Sequence, residues 1–308
     1  MVDKAYLKLN MRFAIVCDSA SDLTEEYARE AGITIVPFYV SMDGETYLKE
    51  GKDIAISEFY KIMSENPDCF PKTSMPSVQD YMEAFWPYVK EGIPVLCICL
   101  TKKFSGSLQA AMNAKMTIEE ECPEAKIEVM DSGLVTALEG MFVKEAVRLR
   151  DHGIEIGRAK NLLEGIKPTG HIFFTTKDLQ YLHHGGRLGK VSCIAGTILN
   201  LKPVLHFYAG ELGTTEVCRG RKKSIQTMTD HFFEFLKKKD IDLRGYYFGT
   251  GIGLDIPEYD DFRKKLSDRF EAENIHPDDW EKVRIGATIG VHTGPYPMGL
   301  GFLKKCDI

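Results

Sequence analysis

The sequence has no excess of positive charge: 39 lysines and arginines stand against 45 aspartates and glutamates, for a formal net charge of -6. Such a chain has little with which to neutralise a phosphate backbone, so nucleic acid is set aside as a partner. Long apolar runs are missing as well. None approaches the about 20 residues that a membrane-crossing helix needs, so any lipid is expected to be carried rather than lived in. The first residues show no signal-like apolar stretch. The eight cysteines are scattered, at positions 17, 69, 97, 99, 122, 193, 218 and 306. They form neither a disulfide framework nor a zinc pattern, so reduced thiols and a cytoplasmic location are expected. The close pair Cys97 and Cys99 shares one side of an apolar strand, where core packing explains it without a metal. A phosphate-gripping Gly-x-x-x-x-Gly-Lys is absent. Gly249-Thr250-Gly251-Ile252-Gly253 has the wrong spacing for a dinucleotide loop, and Asp255-Ile256-Pro257 interrupts helix entry after it. The nucleophile elbow Gly-x-Ser-x-Gly is missing too.

What is present is an ordinary globular composition, 44% hydrophobic and 27% charged over 308 residues. That length suits two domains, each with its own core. Residues 1–10 read as a loosely held extension. From Arg12 the pattern alternates. Arg12–Cys17 reads as a strand, Asp18–Asp22 as a polar loop, and Thr24–Glu30 as a helix, with Asp22 and Glu25 at capping-box spacing. Ile33–Val40 is a second apolar run, followed by a hairpin about Asp43-Gly44. Helices follow at Ser57–Glu65 and Ser77–Lys90, the latter with Ser77 and Asp80 as a capping pair. A buried strand at Pro94–Leu100, a helix at Ser107–Glu121, a strand at Lys126–Met130 and a helix at Val135–Arg150 continue the alternation. This pattern predicts an α/β fold with a parallel sheet covered on both faces, spanning residues 11–166.

After a helix at Ile156–Ile166 and a break at Lys167-Pro168, residues 167–308 form the expected second α/β domain. Its predicted strands are His171–Thr175, the hairpin Val204–Tyr208 with Thr214–Cys218, Tyr246–Thr250 and Val283–Gly290. Its predicted helices are Asp178–His184, Ser224–Lys237 and Asp260–Glu271, with a further apolar stretch at Cys193–Leu199. A hairpin inside an α/β layer suggests a mixed sheet in two layers. The fold class expected is therefore an N-terminal three-layer α/β/α parallel sheet and a C-terminal two-layer α/β mixed sheet.

Four segments carry chemistry, and each has a plain structural reading beside it. Lys72-Thr73-Ser74-Met75-Pro76-Ser77 places hydroxyls before a capped helix, which a turn and an N-cap alone would explain. Phe104-Ser105-Gly106-Ser107 follows a buried strand and opens a helix, at the carboxyl edge where α/β sheets gather ligands and where backbone N–H groups favour an anion. His183-His184-Gly185-Gly186-Arg187 closes a helix with glycine and a basic residue, as a helix C-terminus would in any case. Val291-His292-Thr293-Gly294-Pro295 turns at the end of a predicted strand and presents an imidazole and a hydroxyl. The adjacent histidines lack the i, i+4 spacing of two metal ligands on one helix face.

In chain order these segments, with an early Asp18-Ser19-x-x-Asp22-Leu23 and a central Asp131-Ser132, resemble the DegV family from Arg12 to Lys304. The resemblance implies a carrier, not itself an enzyme, that binds one long-chain fatty acid and needs no metal or other cofactor. It implies that the acyl tail is buried and that hydroxyls of the first domain hold the carboxylate, at positions matched by Thr73 and Ser105, with Gly106 allowing close backbone approach. It further implies presentation of the carboxylate to a separate ATP-dependent kinase that makes an acyl phosphate for phospholipid synthesis, with Arg187, His292 and Thr293 near the exposed head group. Met75 stands where the family commonly has glutamine, Gly189 where serine is common, and Gly133-Leu134-Val135 carries fewer hydroxyls than usual. Two other readings remain open on the residues alone: a cytosolic serine hydrolase using Ser105 or Ser107 with His292, and a small-molecule sensor.

Overall fold

The first strand among the described residues, β1 (Ala14–Asp18), is buried along its whole length in a computed structural model that describes residues 12–177, 179–187, 191–192 and 201–308. It pairs in parallel with β2 (Ile33–Val36) on one side and with β6 (Val95–Cys99) on the other, and β6 pairs with β7 (Ile127–Asp131). The strand order is β2-β1-β6-β7, the parallel sheet that the alternation predicts. Both central strands are buried on both faces, and for that reason they read as continuous apolar runs. Cys97 and Cys99 sit side by side in this core, their sulfurs 3.7 Å apart.

Helices α1 (Glu25–Ala31), α3 (Val78–Val89), α4 (Ser107–Glu121), α5 (Thr136–Asp151) and α6 (Ile156–Ile166) accompany this sheet. The Ser77–Asp80 capping box is formed: Asp80 N–H donates to the Ser77 hydroxyl at 3.1 Å and Ser77 N–H to the Asp80 carboxylate at 2.9 Å. The cap of α1 is not Asp22. Thr24 accepts from Tyr27 N–H at 3.2 Å, while Asp22 sits in the left-handed region at φ 54 and its carboxylate accepts from the Thr136 hydroxyl.

Contacts divide the chain into two units, and not at a single point. One holds the residues up to Tyr39, Ser74–Lys167 and Cys306–Ile308; the other holds Val40–Thr73 and Pro168–Lys305. Residues 40–73, expected in the first domain, thus belong to the second unit. The reason is apolar: Phe59, Tyr60 and Met63 of α2 (Ile56–Glu65) bury with Val40, Ile54, Tyr181, Ala287 and Val291 in one cluster. This excursion carries a small sheet in the order β4-β3-β5, from β3 (Tyr39–Ser41), β4 (Leu48–Lys49) and β5 (Lys72–Ser74). Its turn at Asp43-Gly44 lies where the Asp-Gly pair predicts it, with Gly44 at φ 82. The last residues return to the first unit because Glu145 accepts from Cys306 N–H at 2.7 Å and Arg148 donates to the Cys306 carbonyl at 2.6 Å.

The second unit is built on a seven-stranded mixed sheet, β13-β12-β14-β8-β10-β11-β9. Its strands are β8 (His171–Thr175), β9 (Val191–Ser192), β10 (Leu201–Tyr208), β11 (Glu211–Arg219), β12 (Tyr246–Ile252), β13 (Glu281–Arg284) and β14 (Met298–Lys304). Helix α7 (Gln180–His184) follows β8, and α8 (Arg221–Lys239) and α9 (Pro257–Ala272) supply Phe232, Phe233, Leu236, Tyr259, Leu266 and Phe270 to one core with Phe173, Phe248 and Phe302 of the sheet. Each such side chain, fully buried, contributes about 1.5–3 kcal/mol. The expected stretch Cys193–Leu199 and the extension 1–10 lie outside the described residues.

Two departures occur in this unit. Val283–Gly290 is not one strand: β13 ends at Arg284, and α10 (Ala287–Thr293) begins after Gly286, so His292 sits in the last turn of a helix. Tertiary contacts override the β-branched composition. Glu50 accepts from Thr288 N–H at 3.0 Å and from its hydroxyl at 2.6 Å, satisfying the helix start, and Gly290 has no Cβ because one would lie 2.6 Å from the Tyr60 hydroxyl. The strand β14 is not anticipated at all, although Met298, Leu300 and Phe302 alternate and are all buried.

Candidate functional site

In the first unit, the candidate residues Ser105 and Gly106 form the entry to α4, just beyond the carboxyl end of β6. Gly106 is the N-cap and Ser105 Oγ accepts from Ser107 N–H at 3.1 Å, so part of the Ser105 hydroxyl's role is to shape the turn. Met75 packs over position 106, where a Cβ would lie 2.7 Å from its flexible, exposed sulfur. Ser105 is half-buried and Gly106 exposed, so the turn faces outward with the positive end of a 15-residue helix behind it.

Beneath this turn lies a buried polar chain that sequence reasoning passes over. Ser107 is fully buried and donates to Asp18 Oδ2 at 2.6 Å; Leu100 N–H donates to the same oxygen at 2.9 Å, and Ala20 N–H reaches Asp18 Oδ1 at 3.2 Å. Because the Ser107 proton is used on Asp18, the Tyr81 phenol, 2.5 Å away, is the donor to Ser107. Cys99 follows, with its sulfur 3.8 Å from the Tyr81 oxygen. Burial pushes the Asp18 carboxyl up to about 6 despite these donors and keeps the Tyr81 phenol and Cys99 thiol protonated. The Asp131-Ser132 pair braces the neighbouring loop: Asp131 accepts from Gly133 N–H at 2.8 Å, and Ser132 Oγ from Leu134 N–H at 3.1 Å. The signal for Asp18 is its place in Asp-Ser-x-x-Asp-Leu; Tyr81 has no local signal.

In the second unit, Thr73 of β5, Arg187 after α7 and His292 of α10 come together. Thr73 Oγ1 lies 3.4 Å from His292 Nε2. The other ring nitrogen, Nδ1, is buried with no hydrogen-bond partner among the described residues. Burial, with the Arg187 charge nearby, pulls the imidazole down to about 3 from an ordinary 6.5, so it is neutral at pH 7. Gly185 makes room for it, since a Cβ there would lie 2.1 Å from Nδ1. Arg187 is half-buried, which lowers its pKa, and donates to the Gly185 carbonyl at 2.7 Å. Thr293 is buried and donates to the Ile289 carbonyl at 3.1 Å, within its own helix. Gly294, at φ 77, lets the chain turn where a Cβ would lie 2.5 Å from the Tyr181 ring. His184 stacks on Phe70 with ring centres 3.7 Å apart.

Thr73, Arg187, His292 and Thr293 therefore share the second unit, whereas Ser105 and Gly106 belong to the first. Ser107 offers no nucleophile: its hydroxyl is enclosed between the Asp18 carboxylate and the Tyr81 phenol. Among the described residues no group of three or more His, Cys, Asp or Glu could hold a metal ion, and no helix is long and apolar enough to cross a membrane.

Residues 12–305 match the DegV family, whose description is of an uncharacterised protein. A DegV domain-containing protein of Caldanaerobacter subterraneus subsp. tengcongensis is 32% identical over 294 residues, covering 96% of this chain and 99% of that protein. Among solved structures, a stearic acid-binding protein from Eubacterium ventriosum shares 37% identity at a TM-score of 0.88, over 95% of this chain and 98% of its own. A fatty-acid-binding DegV family protein from Thermus thermophilus aligns at 25% identity and a TM-score of 0.79, over 96% and 100% of the two chains.

Proposed function

Since this chain belongs to the DegV family, we propose that it binds one long-chain fatty acid, with the acyl tail buried and the carboxylate held by hydroxyls. The observation that carries this reading is the likeness to the stearic acid-binding protein, which extends over 95% of the chain at 37% identity. The carboxylate is assigned to the hydroxyls of Thr73 and Ser105, with Gly106 at the positive end of α4. Arg187, His292 and Thr293 are assigned to the vicinity of the head group.

Physical chemistry supports this division of labour. Each buried methylene contributes about 0.8 kcal/mol, so a tail of about 14 methylenes offers roughly 10 kcal/mol before the losses of immobilisation and ordering are subtracted. The tail supplies affinity and the hydroxyls fix position. A neutral His292 can exchange hydrogen bonds with a carboxyl group without adding charge, while Arg187 brings the one permanent positive charge to that group of residues. The role is that of a cytoplasmic lipid-binding carrier rather than an enzyme, presenting the carboxylate to a separate ATP-dependent kinase that forms an acyl phosphate for phospholipid synthesis. Arg187 is suited to stabilise the charge that develops during such a transfer.

The test separates binding from transfer. Thr73→Ala combined with Ser105→Ala is expected to weaken stearic acid binding measured by calorimetry on delipidated protein. Arg187→Ala and His292→Ala are expected to spare binding and to impair acyl phosphate formation by the cognate kinase. Loss of binding in the second pair, with retention in the first, reverses the assignment.

A further inference from the structure

The buried carboxyl group of Glu139 has no role in the reading above. It projects from the first turn of α5 in the first unit, it is fully buried, and neither of its oxygens receives a hydrogen bond from any N–H or O–H among the described residues. An ionised carboxylate in that setting would carry the full penalty of an unpaired buried charge. The neighbour it does have is Asp18, close enough that the two carboxyl groups share a hydrogen bond once either holds a proton. Asp18 already receives three donors, from Ser107, Leu100 and Ala20, and has an acceptor site left for one more. Glu139, with none, is the partner better stabilised as the acid.

The approach of the two groups is built into the backbone. Gly140 follows Glu139, and a Cβ on it would lie 2.4 Å from the Ser21 carbonyl oxygen. Glycine at 140 thus lets the first turn of α5 press onto the turn that follows β1. The hydroxyl of Thr136, at the head of the same helix, closes that junction on Asp22. The titratable groups that face Glu139 are Cys17 and Asp18 from β1, Asp22 from the turn, and Cys97 and Cys99 from β6; Tyr81 of α3 reaches it through Ser107 and Asp18. None of these is a cation that could pair with a carboxylate.

We infer that Glu139 is a neutral acid that donates its proton to Asp18, and that the chain Glu139–Asp18–Ser107–Tyr81 is the device that positions the α4 entry bearing Ser105 and Gly106. Three donors converge on Asp18 from β6's outgoing loop, the turn after β1 and α4, and the proton of Glu139 supplies a fourth. Asp18 can then remain the acceptor that fixes the Ser107 hydroxyl without two like charges meeting in the core. Glu139 and Asp18 are positioning residues: they hold the turn and do not touch the ligand. This assignment rests on the reading of that turn as part of the carboxylate site.

Difference infrared spectroscopy of delipidated protein at pH 7, wild type against Glu139→Gln, tests the proton directly. The expected result is a protonated-carboxyl band in the wild type that vanishes in Glu139→Gln. Absence of the band, or its persistence in Glu139→Gln, overturns the inference. Stearic acid affinity tests the positioning role: Glu139→Gln, which keeps a donor toward Asp18, is expected to bind within about twofold of wild type, and Glu139→Ala to lose about tenfold. Equal affinities for the two variants, whether retained or lost, overturn it. If Glu139→Ala fails to fold, the infrared comparison with Glu139→Gln still decides the proton. If Ser105→Ala binds as tightly as wild type, the carboxylate reading fails while the infrared result stands on its own.

Discussion

The two units bury titratable groups of opposite kinds. The first unit encloses two acids, Asp18 and Glu139, which burial drives toward the proton-bound form. The second encloses three imidazoles, His171, His206 and His292, which burial drives toward the proton-free form, at about 3, about 4 and about 3. Both arrangements oppose charge on buried or half-buried groups, but they respond to pH in opposite senses. A group that holds its proton more tightly when folded stabilises the fold at low pH, and loses that contribution as pH rises from its ordinary value toward its folded one. A group that holds its proton less tightly stabilises at high pH and loses it as pH falls. The first unit should therefore weaken as pH rises from about 4, and the second as pH falls below 6.5.

The largest effect expected is on the second unit in acid. Each histidine contributes a slope of up to about 1.4 kcal/mol per pH unit as pH falls from 6.5 toward 3 or 4. His171 Nδ1 and His206 Nε2 are 3.0 Å apart, so protonating both would also set two charges face to face. Hydrogen exchange resolved by segment, followed from pH 7 to 4, should show β8 and β10 losing protection before β1 and β6, and His206→Phe should reduce that loss. Simultaneous loss in both units would break the contrast.

Next in size is Gly140→Ala, whose new Cβ meets backbone rather than a flexible side chain. It should destabilise the first unit by roughly 3 kcal/mol in denaturant unfolding, with the second unit's exchange unchanged. Smaller is the effect of rising pH on the first unit. Asp18 sheds its share of the first unit's stability between pH 3.8 and about 6, and Glu139 sheds its own from pH 4.5 upward. Wild type should lose up to about 1.4 kcal/mol per pH unit for each group relative to the matching amide variant, Asp18→Asn or Glu139→Gln. Parallel stability curves for wild type and Glu139→Gln would contradict a folded-state proton on that residue. The smallest effect is expected for Thr73→Ser, which keeps the hydroxyl facing His292 and should change stearic acid affinity by no more than about twofold, as a conserved hydrogen bond implies.

The same contrast governs what could be read from the sequence. Helices α4 and α6 and strand β8 occupy the residues that their patterns predict, because a long periodic segment or a bounded apolar run is decided locally. α10 was not legible as a helix. Its residues favour a strand, and what holds it is remote: Glu50 at its start and the Tyr60 ring against Gly290. The allocation of residues 40–73 to the second unit is likewise decided by burial with Tyr181, Ala287 and Val291, far along the chain. Of the proposed site, Thr73, Ser105, Arg187 and His292 are nominated by short motifs at element ends. The meeting of Thr73 with His292 across 219 positions could not, and neither could the convergence of Glu139, Asp18, Ser107 and Tyr81, since no spacing rule links residues on four separate elements.

Native mass spectrometry of the purified protein, followed by extraction and identification of any bound lipid and by addition of stearic acid to the stripped protein, tests the proposed function most directly. The account predicts one long-chain fatty acid per chain, either copurifying or taken up on addition. Neither a copurifying acyl chain nor uptake of the added acid would contradict it.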